Sequence, residues 1–167
     1  MLSRAAEAKA GRWTTSPKLI MAALKECCCK QMTCELCTHI GGALLWQDKN
    51  CRVVLIDDAD YPGFCRVIWQ QHIKEMTDLS AAERGHFMAT VFAVETAIRE
   101  VLRPDKINLA SLGNLTPHLH WHIIPRYHLD KHFPQPIWGA PQREGTVSIA
   151  LDWQARLMES VCSKLDT

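Results

Sequence analysis

The strongest constraint on this chain is a short segment, residues 118–122, in which histidines alternate with large apolar residues (His-Leu-His-Trp-His). Successive side chains of a β-strand point to opposite faces, so the three histidines would share one face and Leu119 and Trp121 the other. A core favours the apolar face, whereas a solvated strand face more usually carries threonine, lysine, glutamate or arginine. The pattern therefore predicts a strand over residues 119–124 that presents a row of imidazoles.

Two kinds of chemistry use such a row. The first is metal binding, because His-x-His is a good chelating pair. The second is nucleophilic catalysis, because a neutral imidazole near pH 7 attacks phosphorus and leaves readily from the resulting phosphoramidate. This requires a lone pair on one ring nitrogen and a hydrogen-bond acceptor, such as a backbone carbonyl, beside the other. The outer histidines would then bind phosphate oxygens or assist proton transfer.

The bulk composition excludes several classes of protein. A length of 167 residues favours one domain, and a formal net charge of +1 provides no basic field for a nucleic-acid partner. No stretch reaches the roughly 18 apolar residues of a membrane span, and no secretory signal is recognisable at the start. Eight cysteines in such a chain favour free thiols or metal ligands over disulfides. We therefore expect a cytoplasmic protein that binds no membrane.

The patterned sequence begins late. Residues 1–31 show neither strand alternation nor a coherent apolar stripe, and Met32 follows directly. We expect residues 1–31 to be a flexible or mis-called extension, with the native start at Met32 or Met21, and residues 32–167 to form a single domain.

Several strands follow from residue type. Residues 51–56 and 64–69 are rich in β-branched side chains, and the acidic turn of residues 57–63 between them predicts a β-hairpin. Residues 106–112 alternate weakly and predict a further strand. Residues 133–141 contain three prolines and predict an extended tail.

Two helices follow from spacing. Ser80 and Glu83 have the separation of a capping box, and Pro104 would end the helix that they begin. Its predicted apolar face comprises Phe87, Val91, Val94, Ile98 and Val101. The predicted apolar face of a final helix comprises Leu151, Ala155, Met158, Val161 and Leu165.

A wider resemblance surrounds the histidines. Residues 118–126 (His-Leu-His-Trp-His-Ile-Ile-Pro-Arg) are similar to the signature of the histidine triad (HIT) family. Asn108 and Asn114 resemble the family's polar positions before the triad, and residues 57–63 resemble the acidic stretch that ends its first long strand. The resemblance covers about residues 33–138. It implies an α+β fold, with an antiparallel sheet of about five strands, a long packed helix, a C-terminal helix and a homodimer with a continuous sheet.

The resemblance also implies an activity. In the family, the middle histidine attacks the α-phosphorus of a nucleotide, and water hydrolyses the resulting nucleotidyl-histidine. By position His120 is the nucleophile, His122 contacts the phosphate, and His118 completes the catalytic row. The implied substrates are dinucleoside polyphosphates, such as diadenosine tetraphosphate, or nucleoside phosphoramidates.

Four further residues correspond to the family's substrate contacts. Asn114 would contact the phosphate or hold the bridging oxygen, and Asn108 would lie close to the α-phosphate. Asp57 is the candidate for the ribose hydroxyls, with Asp58 as its neighbour, because the loop here is one residue longer than usual.

A metal site is implied separately. Cys34 and Cys37 form a Cys-x2-Cys pair, which alone is also found in redox motifs. In some similar bacterial HIT proteins such a pair joins two histidines, which correspond here to His72 and His118. Two cysteines and two histidines satisfy tetrahedral Zn²⁺ with no open position, so the ion would be structural. The alternative is a pair of reduced thiols. No organic cofactor is implied.

Other functions remain open. Phe64 stands where the family usually carries a histidine that organises the triad, which favours a nucleotide-binding regulatory protein with little or no turnover as the alternative. A third possibility is a metal-binding module in which all three histidines ligate ions. Arg126 is expected to be solvated. Trp138 is expected to pack in the core or at a dimer contact, although an aromatic residue in such a tail can also cover a base.

Overall fold

The computed structural model describes residues 34–145 and 147–166, so our expectations for residues 1–31 lie outside it. The elements in chain order are α1 (Glu35–Thr38), β1 (Ala43–Gln47), β2 (Cys51–Leu55), β3 (Cys65–Trp69), a 3-10 turn (Met76–Asp78), α2 (Ala81–Leu102), β4 (Lys106–Ala110), β5 (His120–Arg126) and α3 (Trp153–Leu165). The predicted α+β class, with a five-stranded antiparallel sheet, a long helix and a C-terminal helix, is confirmed. Within the described ranges, no helix is both long and apolar enough to cross a bilayer.

The order of the strands in the sheet determines what lies beside the histidines. That order is β1-β2-β3-β5-β4, and each pair of neighbours is antiparallel. The predicted hairpin is confirmed as β2 and β3. Because β5 lies between β3 and β4, His122 stands opposite Arg66, and His120 stands opposite Ile68.

The two faces of the sheet have different roles. One face packs against α2 and α3 and forms the main core, in which Val53, Val67 and Ile123 are fully buried. Since side chains alternate along a strand, the opposite face carries Arg66, His120 and His122. Two smaller apolar clusters flank these residues on that face.

Helix α2 forms as its sequence predicts. The Ser80 hydroxyl accepts a hydrogen bond from the Glu83 backbone N–H, and the Glu83 carboxylate accepts one from the Ser80 N–H, so the capping box is confirmed. The helix ends at Leu102, two residues before Pro104. Four of the five residues of its predicted apolar face are buried, and Val101 packs partly against the core.

The strand predictions need two corrections. Strand β1 was not predicted, because residues 43–47 lie at the sheet edge and do not alternate cleanly between buried and exposed positions. Strand β5 continues through Pro125 to Arg126, beyond the predicted end at Ile124. The pairing with β3 ends at Ile123, so at Pro125 only β4 is a neighbour, and a proline is tolerated there.

The predicted apolar face of the last helix is also partly wrong. Leu151 precedes α3 and is exposed, and Met158 is exposed on the helix. The buried residues of α3 are Leu157 and Val161, with Trp153 packed one turn before them. The helix packs against α2 and β1, and these neighbours bury the series at four-residue steps rather than the predicted face.

A buried ion pair organises the segment after β5. Arg126 and Asp130 are 2% and 0% exposed, and Arg126 Nε and Nη2 donate to the two carboxylate oxygens at 2.7 and 3.0 Å. Arg126 also donates to the Gln135 carbonyl at 2.7 Å. The expectation that Arg126 is solvated is therefore wrong. Residues 133–141 fold into turns rather than an extended tail, since the Gln135 and Gly139 N–H groups donate to carbonyls three residues earlier.

Asp130 is held in its charged form. Burial pushes the pKa of this carboxyl upward, but the hydrogen bonds from Arg126 and from the N–H groups of Tyr127, His132 and Phe133 together outweigh burial and lower the pKa. Its stabilising contribution is therefore full above the unfolded pKa of about 3.9 and is lost as the pH falls through the lower folded value.

We predict that Asp130→Asn lowers the free energy of unfolding by about 3–5 kcal/mol at pH 7, because it leaves the buried Arg126 cation unpaired. Urea unfolding monitored by circular dichroism measures the change. Asp152→Asn is the matched control: that carboxylate is exposed, and its contact with Arg156 at 3.8 Å is a surface pair, worth at most about 1 kcal/mol. Equal losses in the two variants would contradict the role of the buried pair.

Candidate active site and metal cluster

The three histidines lie on one side of the sheet, as the alternation predicts. His118 immediately precedes β5, and His120 and His122 lie on it. All three are at most 6% exposed, so they are not a solvated strand face. Leu119 and Ile123 between and after them are buried in the helix-side core.

A chain of hydrogen bonds assigns the tautomer of each ring. His120 Nδ1 lies 2.6 Å from the His118 carbonyl oxygen. A carbonyl only accepts, so Nδ1 carries the hydrogen and His120 Nε2 carries a lone pair. His122 Nε2 lies 3.1 Å from His120 Nε2 and is therefore the donor in this hydrogen bond. The Nδ1 atom of His122 is then an acceptor, and Arg66 Nε donates to it at 3.4 Å.

The site keeps these imidazoles neutral. Burial lowers the pKa values of His118 and His120, although each ring has one hydrogen bond to a carbonyl that acts in the opposite direction. Burial, together with electrostatic repulsion from the Arg66 cation and from any proton on His120, lowers the pKa of His122 to about 3. At neutral pH the lone pair of His120 Nε2 is therefore available to an electrophile.

A cavity of about 300 Å³ opens in front of His120 and His122. Of the predicted substrate contacts, Asn114 lines it. The complete lining is Glu35, Leu36, Arg66, Leu112, Gly113, Asn114, Leu115, Thr116, His120, His122 and Trp138. The cavity has room for a phosphate group beside His120 and His122.

Three predicted substrate residues lie outside this cavity. Asn108 is on β4, and its side-chain oxygen accepts a hydrogen bond from Arg126 at 2.7 Å. Asp57 and Asp58 line a separate cavity of about 470 Å³, together with Trp153 and Gln154. The structure therefore brings Asn114, but not these three, to the space in front of His120.

Two aromatic rings enclose His122. Phe64 is tilted against it, with 5.6 Å between ring centroids, and Trp138 packs edge-on at 5.3 Å. Trp138 is 53% exposed, so the expectation of core packing is wrong. The segment held by Arg126 and Asp130 carries Trp138 to the cavity.

Two arginines on this face were not predicted from the sequence. Arg66 lies in the cavity lining, and its only signal is a charged residue within an otherwise apolar strand. Arg52 is 6% exposed and donates to the carbonyl oxygens of Leu36 and Ile40 at 2.6 and 3.0 Å. These contacts hold the segment with Cys34 and Cys37 against β2.

The four predicted metal ligands meet at one point. The ligand atoms of Cys34, Cys37, His72 and His118 all lie within 4.8 Å of one another. His118 Nδ1 is 3.5 and 3.4 Å from the two sulfurs, and His72 Nδ1 is 3.3 Å from Cys37 Sγ. In a tetrahedral zinc site, sulfur and nitrogen ligands stand about 3.5 Å apart. The donor set and its spacing therefore fit Zn²⁺.

The surroundings of this cluster also suit a metal. His118 Nε2 donates to the Trp69 carbonyl at 2.6 Å, which leaves a lone pair on Nδ1 facing the sulfurs. Burial and the neighbouring Cys34 raise the pKa of Cys37 to about 11, so a bound cation would be needed to keep Cys37 as a thiolate at neutral pH. Among the described residues, His120 and His122 belong to no such ligand group, which speaks against the metal-module interpretation of the whole row.

Comparisons with known proteins show which sequences and folds the chain resembles. A family model described as the HIT domain matches residues 38–129. The chain is 30% identical to the AP-4-A phosphorylase of Mycobacterium tuberculosis over an aligned region of 103 residues. This region covers 55% of this chain and 53% of that protein. The chain thus spans about half the length of the curated relatives it matches.

Solved structures share the fold. A histidine triad protein from Bradyrhizobium japonicum superposes with a TM-score of 0.61 at 25% identity, over 92% of this chain and 98% of that chain. A Zn-bound histidine triad family protein from Mycobacterium smegmatis superposes with a TM-score of 0.55 at 20% identity, over 81% of this chain and 97% of that chain.

We predict that the His122 ring stays neutral when the pH of the folded protein is lowered from 8 to 5. Because its folded pKa of about 3 lies below the unfolded value of about 6.5, this ring costs stability as the pH falls between the two values. Nitrogen-15 NMR of the imidazoles measures the titration. The urea-unfolded protein is the reference, and a His122 midpoint near 6.5 in the folded protein would refute the assigned environment.

Proposed function

The chain belongs to the HIT domain family, and we propose that it is a nucleotide hydrolase or transferase that acts at the α-phosphate through a nucleotidyl-His120 intermediate. The observation that carries this proposal is the hydrogen bond from His120 Nδ1 to the His118 carbonyl, which leaves a lone pair on Nε2 of a residue that lines the cavity. The most suitable substrate class is a nucleotide whose α-phosphorus bears a second group that can leave.

The first step forms the intermediate. His120 Nε2 bonds to the α-phosphorus, and the bond from that phosphorus to the leaving group breaks, with its electron pair departing on the leaving group. The His122 Nε2–H, which points at His120 Nε2 in the free site, turns its hydrogen bond to a phosphate oxygen. The carbonyl of His118 stabilises the cationic ring that His120 then carries.

The second step restores the enzyme. The oxygen of an acceptor bonds to the α-phosphorus, the bond to His120 Nε2 breaks, and the electron pair returns to the ring. A water acceptor loses its proton to solvent and yields a nucleoside monophosphate. An inorganic phosphate acceptor yields a nucleoside diphosphate. The mycobacterial relative is named AP-4-A phosphorylase, which supports diadenosine tetraphosphate as the test substrate and phosphate as an acceptor to include.

Further contacts are proposed for the substrate. Asn114 lines the cavity and is the proposed partner of a phosphate or bridging oxygen. Asn108 is proposed to act near the α-phosphate. To do so, its side-chain oxygen would have to give up the hydrogen bond that it accepts from Arg126. For Asp57 and Asp58 to meet the ribose hydroxyls, the nucleoside must extend across the start of β3, because both residues line the neighbouring cavity.

We propose that Cys34, Cys37, His72 and His118 hold a structural Zn²⁺. The chemistry of the donors and their spacing support this, and a structural relative is Zn-bound. The ion would tie the segment before β1 to the end of β3 and to His118. It would thereby fix the carbonyl that accepts the hydrogen bond of His120. A homodimer with a continuous sheet is proposed as well, since β4 is an edge strand and an edge strand can pair with a strand of another chain.

We predict that the wild type converts diadenosine tetraphosphate and that His120→Asn lowers kcat/KM at least about a thousandfold, because the attacking atom is lost. His128→Asn removes an exposed histidine outside the cavity and should leave the rate unchanged. Chromatography with and without inorganic phosphate distinguishes AMP from ADP as the product. Full activity of His120→Asn would refute the mechanism, and AMP binding without any turnover by the wild type would favour the regulatory alternative.

We predict about one zinc ion per chain, measured by elemental mass spectrometry after purification. Cys34→Ser and Cys37→Ser should lose the ion and unfold at lower urea concentration, because structural metal binding contributes folding free energy. Cys162→Ser changes a thiol that contacts the Leu45 carbonyl, away from the cluster, and should retain the ion. A metal-free wild type, or serine variants with full zinc content, would contradict the proposed site.

A further inference from the structure

We infer that Arg66 is a specificity-determining residue that recognises the phosphate chain beyond the α-phosphorus. This inference rests on the proposed function and adds a substrate preference to it. It favours substrates with an anionic polyphosphate leaving group over phosphoramidates, which share the same nucleotidyl group but lack the chain.

The position of Arg66 follows from the sheet. On β3 it stands directly opposite His122, so both side chains project to the same face. Its guanidinium lines the cavity in front of His120, packs over the Phe64 ring at 5.7 Å from the centroid and donates to His122 Nδ1 at 3.4 Å. The ring of Phe64 and the hydrogen bond to His122 therefore hold the cation at the cavity wall.

This cation lacks a carboxylate partner. Arg66 is partly buried, and within the described part of the chain it takes part in none of the ion pairs. Glu35 shares the cavity lining, and its charge raises the pKa of Arg66, while burial, the larger effect, lowers it. Removing a cation from water without a counter-ion is unfavourable, and an anionic ligand in the cavity would offset that cost.

The position of Arg66 relative to His120 indicates which phosphate of the substrate the guanidinium contacts. The His122 ring separates Arg66 from His120, since one of its nitrogens faces His120 Nε2 at 3.1 Å and the other faces Arg66 Nε at 3.4 Å. An α-phosphate that is bonded to His120 and held by His122 Nε2 is therefore one imidazole ring away from the guanidinium. This offset suits the next phosphate in the chain.

The chemistry of the leaving group makes the contact selective. When the bond to a polyphosphate breaks, negative charge develops on the departing oxygen, and a nearby guanidinium stabilises it. A phosphoramidate departs as an amine and must gain a proton, so a fixed cation gives it no comparable advantage. An effect of Arg66 through His122 alone would instead change both reactions equally, because both form the same intermediate on His120.

The test compares diadenosine tetraphosphate with adenosine 5′-phosphoramidate. We expect Arg66→Gln to lower kcat/KM for the tetraphosphate by about tenfold to a hundredfold, the effect of one charge-assisted hydrogen bond. The value for the phosphoramidate should change by less than about threefold, which also shows that the variant is folded. Arg66→Lys should recover part of the loss. Arg99→Gln makes the same change at an exposed position on α2 and should affect neither substrate.

Equal losses on both substrates, or no loss on either, would overturn the inference. If the wild type converts neither substrate, the proposed function fails, and calorimetric binding of AMP and ATP decides the role of Arg66 separately. The inference then predicts that the wild type binds ATP more tightly than AMP and that Arg66→Gln removes this preference. A preference that survives in the variant, or is absent from the wild type, would overturn it.

Discussion

The hydrogen bond from His120 Nδ1 to the His118 carbonyl is the interaction on which the site depends. It joins two residues of one segment, which consists of strand β5 and the residues directly before it. It assigns the hydrogen to Nδ1, leaves Nε2 with a lone pair, and makes His122 Nε2 a donor toward that lone pair. One backbone carbonyl therefore determines the direction of the whole hydrogen-bond chain.

The remainder of the fold holds that carbonyl and encloses the cavity. Helices α2 and α3 bury the opposite face of the sheet, so the histidine face is left to the site. The cluster of Cys34, Cys37, His72 and His118 includes the side chain of the residue that supplies this carbonyl. The Arg126–Asp130 pair folds the segment that carries Trp138 to His122. A nucleophile built from local sequence thus acquires its surroundings from distant segments.

This division between local patterns and contacts from distant segments explains which features could be predicted from the sequence. The histidine alternation and the capping box of α2 were predictable because both are patterns within a few residues. The role of Arg66 depends on β3 lying beside β5 in a particular register, and no local pattern in β3 encodes that neighbour. Arg126 was misjudged for the same reason, since Asp130 and Gln135 bury it only after the chain turns back. The buried face of α3 depends on α2 and β1, against which the helix packs, and an apolar residue such as Met158 also lies outside that face. The proposed ribose contacts of Asp57 and Asp58 depend on how a nucleotide crosses β3, which residue identity does not encode.

The most direct measurement of the central claim is chemical trapping. The protein is mixed with diadenosine tetraphosphate, quenched in alkali, where phosphoramidates persist, and digested for mass spectrometry. The account predicts an adenylyl group on the peptide that contains His120, attached at Nε2 and absent from His120→Asn. An adduct on His118 or His122 instead, or turnover by the wild type with no adduct on any histidine, would contradict it.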